Sequence, residues 1–156
     1  MTIQASDVSV RRTIVVNASQ EKAFDVFVNR IGSWWPQSHH LLEVGNPVTI
    51  LEPRAGGRWY ERSEDGTECG NGTVLVFEPP SRLVLDWQID GSWNYDAAFH
   101  SEVEVRFIAE HADRTRVELE HRGLEAYGEK LGAVRDAISS ENGWALGLRQ
   151  FAEACN

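Results

Sequence analysis

Cysteine is scarce in this chain of 156 residues. The two cysteines, Cys69 and Cys155, lie far apart and do not form a C-x-x-C pair. This excludes the disulfide framework that holds small secreted domains together, and it excludes the paired thiols typical of structural zinc sites. We therefore expect both thiols to be free.

Clusters of basic residues and long apolar runs are also missing. The chain has 15 Lys and Arg against 24 Asp and Glu, which gives a net charge of −9. Nucleic acids and anionic membrane surfaces require clustered basic side chains, so neither is expected as a partner. No apolar stretch approaches the roughly 20 residues that a bilayer crossing needs. Residues 1–7 are polar and unlike a signal peptide, so we expect a cytoplasmic protein.

The length and composition indicate one ordinary globular domain. We expect it to span residues 1–156, with its core between about residues 8 and 155. A domain of this size buries roughly 70% of the surface of its unfolded chain, which is enough for one core and one internal pocket. With 42% hydrophobic and 25% charged residues, the composition is typical of such domains.

Hydrophobic alternation predicts seven strands, six of them consecutive along the chain. The first is expected at residues 8–16, and a helix follows it, with Asn17 or Ser19 as its cap and an apolar face from Ala23 to Ile31. The other strands are expected near residues 48–52, 58–63, 68–77, 82–90, 102–109 and 115–122. Polar and apolar residues alternate in the last two, which indicates an antiparallel sheet with one buried face.

Turn-forming residues separate these strands. Gly56-Gly57 and Asp65-Gly66 are typical of hairpins. Pro79-Pro80 must lie in a turn, because proline cannot donate a hydrogen bond within a central ladder. Gly70 and Gly72 indicate a bulge in the strand that contains them.

The pattern becomes helical near the end of the chain. Residues 124–138 have helical spacing, residues 139–143 form a break, and a final helix is expected at residues 144–155 with Ser140 or Asn142 as its cap. Consecutive strands with helices at both ends of the chain indicate an α+β domain. One face of the final helix, which would cover the apolar face of the sheet, carries Trp144, Leu148, Phe151 and Cys155.

Six tryptophans are more than ordinary surface use explains. Tryptophan combines a large apolar area with a polar N–H group, which suits the wall of a ligand pocket. Trp34, Trp35 and Trp93 fall in connections near the expected mouth of such a pocket. Filling the core is the alternative role, above all for Trp87 and Trp144.

The histidines do not form a metal-binding motif. His39 and His40 are adjacent and would point apart on a strand, and no H-E-x-x-H sequence is present. We expect no metal site. His121 falls on the inward face of its strand, where it could be a hydrogen-bonded core residue or a base.

Glu61 is the acidic residue most suited to chemistry. It shares the inward face of its strand with Trp59, and a carboxylate desolvated beside aromatic rings suits a general acid or base. The alternative is a structural ion pair with Arg12 or Arg58. No nucleophile-elbow, phosphate-loop or nucleotide-binding sequence is present.

Several motifs in a fixed order resemble a known family. They are EPRAGGR at residues 52–58, GTV at 72–74, EPPSRL at 78–83 and GW at 143–144, and the likeness covers about residues 11–154. This order resembles the helix-grip fold of the START/SRPBCC superfamily, and more closely the family of the activator of the 90-kDa heat-shock protein ATPase. WWP at 34–36, WQI at 87–89 and EVEVRF at 102–107 resemble a bacterial subgroup similar to a calicheamicin self-resistance protein.

The resemblance implies a curved antiparallel sheet of about seven strands around the C-terminal helix, with a cavity between them. Our main hypothesis is that this cavity binds a hydrophobic or aromatic small molecule without a cofactor. The alternatives are a cyclase-like or hydrolase-like enzyme that uses Glu61 and His121, or a module that activates a chaperone ATPase or contacts another protein. A homodimer is possible, and no residue is assigned as catalytic. The expected ligand-binding residues are Trp34, Trp35, His39, Trp59, Glu61, Trp87, Trp93, His121, Trp144 and Leu148.

Overall fold

The computed structural model describes residues 9–156 and shows one antiparallel sheet with helices on one face. Its seven strands have the order β1-β7-β6-β5-β4-β3-β2. The strands are β1 (Val10–Val16), β2 (Val48–Leu51), β3 (Arg58–Arg62), β4 (Glu68–Glu78), β5 (Arg82–Trp87), β6 (Ser101–His111) and β7 (Arg114–Arg122). The helices are α1 (Gln20–Asn29), α2 (Ile31–Trp34), α3 (Leu131–Ser139) and α4 (Trp144–Cys155), with 3-10 turns at Gln37–His39 and Leu124–Lys130.

The predicted α+β class, the strand count and the final helix are confirmed. Val8, predicted to open the first strand, lies outside the described residues. The predicted bulge in β4 is present: Trp59 pairs with Gly72 and Tyr60 with Gly70, so Asn71 is the extra residue. Gly72 has no room for a side chain, because a Cβ there would lie 1.8 Å from the carbonyl oxygen of Asp86. Both cysteines are free, as expected.

Helices α1 and α4 cover the concave face of the sheet through aromatic packing. The ring of Phe27 lies 5.6 Å from Phe107 of β6 and 5.2 Å from Phe151 of α4. Phe24 adds an edge-to-face contact with Phe107 at 5.1 Å. Such pairs stabilise a core beyond the area that they bury. The sheet and both helices thus share one core.

Two predicted elements end differently in the structure. The helix predicted at residues 124–138 is a 3-10 segment followed by α3, because Gly128 adopts φ 57° and ψ −123° and interrupts the helical backbone. The strand predicted at residues 82–90 ends at Trp87, and beyond it a single bridge joins Ile89 to Tyr95.

The alternation of residues 82–90 predicts Asp86 and Gln88 on the wet face of their strand, opposite Leu85 and Trp87, and this prediction is wrong. Both are buried because the connection between β5 and β6 folds over them. His100 contacts the Asp86 carboxylate at 2.7 Å, and the Gln88 side chain donates a hydrogen bond to the carbonyl of Ala97 at 2.9 Å.

The cap predicted for α1 is confirmed, and the one predicted for α4 is wrong. Ser19 caps α1 by accepting a hydrogen bond from the amide of Lys22 at 3.1 Å. The N-cap of α4 is Gly143, without a side-chain hydrogen bond, rather than Ser140 or Asn142. Among residues 9–156, no helix is long and apolar enough to span a membrane.

The convex face of the sheet holds a buried carboxylate between three arginines. Glu104 of β6 is 4% exposed and accepts hydrogen bonds from Arg82 at 2.6 Å, Arg122 at 2.5 Å and Arg106 at 2.9 Å. Desolvation opposes ionisation of Glu104, but these arginines outweigh it and lower its pKa to about 2. The ion pairs of Glu104 therefore link β5, β6 and β7 on this face.

Replacing this carboxylate should destabilise the sheet. We expect Glu104→Gln to lower the free energy of unfolding at pH 7 by roughly 2–4 kcal/mol, because it leaves three arginines without their shared anion. Since the pKa of Glu104 is lowered on folding, its stabilisation is full above about pH 4.5 and is lost as the pH falls towards 2. Urea unfolding at pH 7 and pH 3 measures both effects.

Glu118→Gln is the matched control, because Glu118 is a half-exposed partner of Arg116 on the same face. It should change stability by less than about 0.5 kcal/mol. Equal losses in the two variants would contradict the role given to Glu104.

Candidate functional site

A cavity of about 360 Å³ lies where the start of α4 meets the end of β5. The 3-10 turn after α2, the end of α3 and the connection after β5 complete its wall. The wall is mainly aromatic and aliphatic, and it contains no Asp, Glu, Lys or Arg. It consists of Trp35, Ser38, His39, His40, Leu41, Trp87, Ile89, Trp93, Ala137, Ile138, Ser140, Asn142, Gly143, Trp144 and Gly147.

Four tryptophans form a closed ring of contacts, and three of them, Trp35, Trp87 and Trp144, line this cavity. Trp35 contacts Trp59 at 5.8 Å between ring centroids, and Trp59 contacts Trp87 at 5.7 Å. Trp87 contacts Trp144 at 5.7 Å, and Trp144 returns to Trp35 at 5.9 Å. We call these four residues the tryptophan ring. Two members come from strands, one from the α2 connection and one from α4, so the ring joins three parts of the fold.

A chain of hydrogen bonds fixes one side of the tryptophan ring. The indole N–H of Trp144 donates to Nδ1 of His121 at 3.2 Å, so Nε2 of that imidazole carries the proton and donates to Ser101 at 3.1 Å. The Ser101 hydroxyl then donates to the carbonyl of Trp87 at 3.2 Å. Burial lowers the pKa of His121 to about 3, so the imidazole is neutral near pH 7.

Tyr127 fixes Trp87, the neighbour of Trp144 in the tryptophan ring. The indole N–H of Trp87 donates to the Tyr127 hydroxyl at 2.9 Å, and that hydroxyl donates to the carbonyl of Ile89 at 2.7 Å. Burial raises the pKa of Tyr127 to about 12. Tyr127 is not predicted from the sequence, because it follows β7 in a segment with the spacing of a regular helix and shows no periodic signal of its own.

Glu61 anchors the wall of the cavity. Its fully buried carboxylate accepts hydrogen bonds from the backbone amides of Leu41 at 3.0 Å and Leu42 at 2.6 Å. With its amide nitrogen facing Glu61, Asn71 donates a third at 3.3 Å. Neither arginine considered as its partner pairs with Glu61: Arg12 donates to the carbonyl of Ser139, and Arg58 pairs with Glu52 and Glu68.

His39 and Trp93 lie in connections at the mouth. The His39 imidazole contacts the carbonyl of Asn142 at 2.5 Å, which links the 3-10 turn after α2 to the start of α4. Trp93 is 43% exposed and has φ +62°, an unusual backbone conformation for a bulky residue. Asp90 supports this turn by accepting hydrogen bonds from the amides of Ser92 and Asn94 at 2.9 and 3.0 Å.

The structure divides the ten predicted ligand-binding residues into two groups of five. The lining group is Trp35, His39, Trp87, Trp93 and Trp144. The other five are buried behind the wall: Trp34, Trp59, Glu61, His121 and Leu148. Trp34, for example, donates its N–H to the carbonyl of Val26 at 3.0 Å and packs on Phe27 and Phe151.

Several lining residues were not predicted from the sequence. They include Leu41, Ile89 and Gly147. Gly147 follows Trp144 by three positions on α4, so the missing side chain leaves space beside that tryptophan. In the sequence, the signal for this part of the wall was a glycine next to the apolar face of α4. Among residues 9–156, no group of three or more His, Cys, Asp or Glu side chains is placed to hold a metal ion.

Comparison with known proteins gives a family match over most of the chain. The family model described as activator of Hsp90 ATPase homolog 1-like protein matches residues 17–156. No curated protein matches the chain.

The solved structures similar to the chain include two that are more than 30% identical to it. The anthrahydroquino-gamma-pyrone synthase Txn09, complexed with SUM, is 38% identical, with 94% of this chain and 96% of that chain covered and a TM-score of 0.66. The self-sacrificing resistance protein CalC from Micromonospora echinospora is 32% identical, with 93% and 92% covered and a TM-score of 0.70. Protein MLL2253 from Mesorhizobium loti, at 16% identity, coverage of 94% and 95%, and a TM-score of 0.66, shares the fold.

The neutral imidazole of His121 predicts a specific loss of stability in mild acid. Because its pKa is about 3 in the folded protein and about 6.5 when unfolded, the unfolded chain binds this proton first as the pH falls. Stability from this residue is therefore full above pH 6.5 and decreases towards pH 3. Between pH 7.5 and pH 5.0 the wild type should lose about 2 kcal/mol from this source, and His121→Gln should lose none of it.

Urea unfolding at the two pH values tests this expectation. His111→Gln replaces an exposed imidazole at the end of β6 and serves as the control, which should keep the wild-type pH dependence. An unchanged pH dependence in His121→Gln would show that His121 is not buried in its neutral form.

The anchoring role of Glu61 predicts a local effect on the wall. Glu61→Gln keeps the size of the side chain but removes its charge and one acceptor oxygen, and should cost roughly 2 kcal/mol. Hydrogen exchange at the amides of Leu41 and Leu42 should become faster than at the rest of the sheet. In the control Glu64→Gln, an exposed position beyond the same strand, both amides should keep their protection. Unchanged protection in Glu61→Gln would contradict the anchoring role.

Proposed function

Because the chain belongs to the family of activator of Hsp90 ATPase homolog 1-like proteins, we propose that it binds a hydrophobic or aromatic small molecule in the cavity between the sheet and α4. The observation that carries this proposal is the wall itself. Trp35, Trp87, Trp93 and Trp144 line it, and no Asp, Glu, Lys or Arg does. Its volume of about 360 Å³ falls within the range typical of small-molecule sites.

The aromatic wall favours a flat, apolar ligand. Three of its four tryptophans are at least nine-tenths buried and held by neighbouring rings, while Trp93 is half exposed at the mouth. Aromatic rings prefer offset or edge-to-face contacts with other rings, and the tilted faces of the tryptophan ring offer both. A rigid wall of this kind loses little conformational entropy when it receives a ligand.

Txn09 and CalC support a small-molecule role without defining the chemistry. One is described as a synthase complexed with SUM and the other as a resistance protein. Because one fold can host unrelated activities, the function must be argued from the site. The cavity described above is the feature of this chain that supports binding.

An enzymatic role based on Glu61 and His121 receives less support from the geometry. Neither side chain lines the cavity, and both have intramolecular partners: Glu61 accepts from two backbone amides, and His121 uses both ring nitrogens. A group that is buried away from the ligand and already paired is poorly placed to transfer a proton to or from it.

A chaperone-contacting role also receives less support. It calls for a contiguous exposed apolar patch. Among the described residues, the large apolar side chains that are exposed lie on several separate elements: Val15, Val44, Val48, Leu75, Trp93 and Tyr95. Ligand binding inside the cavity accounts for more of the aromatic residues than a chaperone contact does. A cytoplasmic location and a homodimer remain predictions.

Trp93 allows a test that leaves the core intact. We expect Trp93→Ala to weaken the binding of 2-methoxynaphthalene about five- to tenfold, as the loss of an aromatic contact of about 1 kcal/mol or slightly more implies. Calorimetric titration measures the affinity. Tyr95→Leu, which changes a side chain of similar exposure in the same connection but outside the cavity wall, should bind the probe as the wild type does.

A broader panel of two- and three-ring aromatic compounds decides the proposal as a whole. At least one member should bind the wild type and raise its melting temperature. If no compound changes the melting temperature or the tryptophan fluorescence, the proposal is wrong.

A further inference from the structure

The imidazole of His39 has a defined tautomer. Its Nε2 contacts the backbone carbonyl oxygen of Asn142 at 2.5 Å. A carbonyl oxygen can only accept a hydrogen bond, so Nε2 must carry the proton and Nδ1 must carry the lone pair. Burial lowers the pKa of His39 below its usual value, which the hydrogen bond to Asn142 opposes without reversing. At neutral pH, Nδ1 is therefore an acceptor.

Nδ1 of His39 has no hydrogen-bond partner among residues 9–156, although the residue is partly buried in the cavity wall. The neighbouring His40 also lines the wall but has both nitrogens engaged, with Gln37 at 3.2 Å and Thr49 at 3.0 Å. The side chains of Ser38 and Asn142 belong to exposed residues that reach water. His39 thus presents an acceptor that no described residue engages, in the same wall as the buried and unpaired N–H donor of Trp35.

The rest of the wall restricts what can satisfy this acceptor. No Lys or Arg lines the cavity, so an anionic carboxylate or phosphate would meet no opposite charge. A carbonyl group has no proton to donate to Nδ1. A neutral hydroxyl on an aromatic ring supplies the donor, while its ring packs on Trp35, whose centroid lies 6.1 Å from that of His39.

We infer that Nδ1 of His39 accepts a hydrogen bond from a hydroxyl group of the bound molecule, so that the ligands of this cavity are hydroxylated aromatic compounds. This inference rests on the proposed binding function and names the ligand class of the same site. His39 acts here as a specificity residue: it favours a phenol over the corresponding ether or hydrocarbon, while the tryptophans provide affinity for all three.

A matched pair of probes tests the inference. 2-Naphthol and 2-methoxynaphthalene share the ring system, and the ether is the more apolar of the two but lacks the donor. By calorimetric titration, the wild type should bind 2-naphthol roughly fivefold more tightly, the ratio that one net hydrogen bond gives. In His39→Phe this ratio should fall to one or below, while the ether still binds.

His40→Phe is the matched control, because it removes the adjacent imidazole whose nitrogens are already engaged. It can change both affinities, but the ratio between them should stay as in the wild type. A general loosening of the wall would weaken both probes together, whereas loss of the His39 acceptor changes their ratio.

A second measurement uses the wild type alone and does not depend on the folding of any variant. In ¹⁵N-histidine spectra, the Nδ1 resonance of His39 should shift with 2-naphthol and stay in place with 2-methoxynaphthalene. Equal affinities, or an unmoved resonance with bound 2-naphthol, would overturn the inference and leave the binding proposal intact. If neither probe, nor any other member of the aromatic panel, binds, the binding proposal fails and the inference fails with it.

Discussion

The closed contact of four tryptophans between the sheet and the last helix is the interaction on which the rest of the structure depends. Trp59 and Trp87 come from strands, Trp35 from the α2 connection and Trp144 from the first turn of α4. Burial of these large rings provides the driving force that brings α4 over the concave face. Three of these rings, Trp35, Trp87 and Trp144, also form part of the cavity wall, together with Gly147 of α4.

The N–H groups of two of these rings explain the buried polar residues His121 and Tyr127 beside the site. The N–H groups of Trp144 and Trp87 donate to His121 and Tyr127, and the chains end on backbone carbonyls. A buried polar group without a partner is costly, and these two N–H groups avoid that cost, whereas those of Trp35 and Trp59 are buried without a partner. His121 is therefore explained by Trp144, and its inward position needs no catalytic reason.

Local patterns predicted most of the fold and only part of the site. Alternation of polar and apolar residues depends on each strand alone, so the seven strands and the stripe of α4 could be read from the sequence. The partners of Glu61 could not, because they are backbone amides about twenty positions away that become available only when a loop reaches β3. Asp86 and Gln88 were misplaced for the same reason, since a later connection covers them.

The two sides of the cavity differ in how they are held. Trp87 and Trp144 are fixed by buried hydrogen bonds to the sheet and to the segment after β7, whereas His39, Leu41 and Trp93 belong to connections joined to the core by a few contacts. Substitution in a connection disturbs the core less than substitution in the tryptophan ring. Changes on the connection side can therefore alter the shape and polarity of the cavity wall while the packed side keeps the fold.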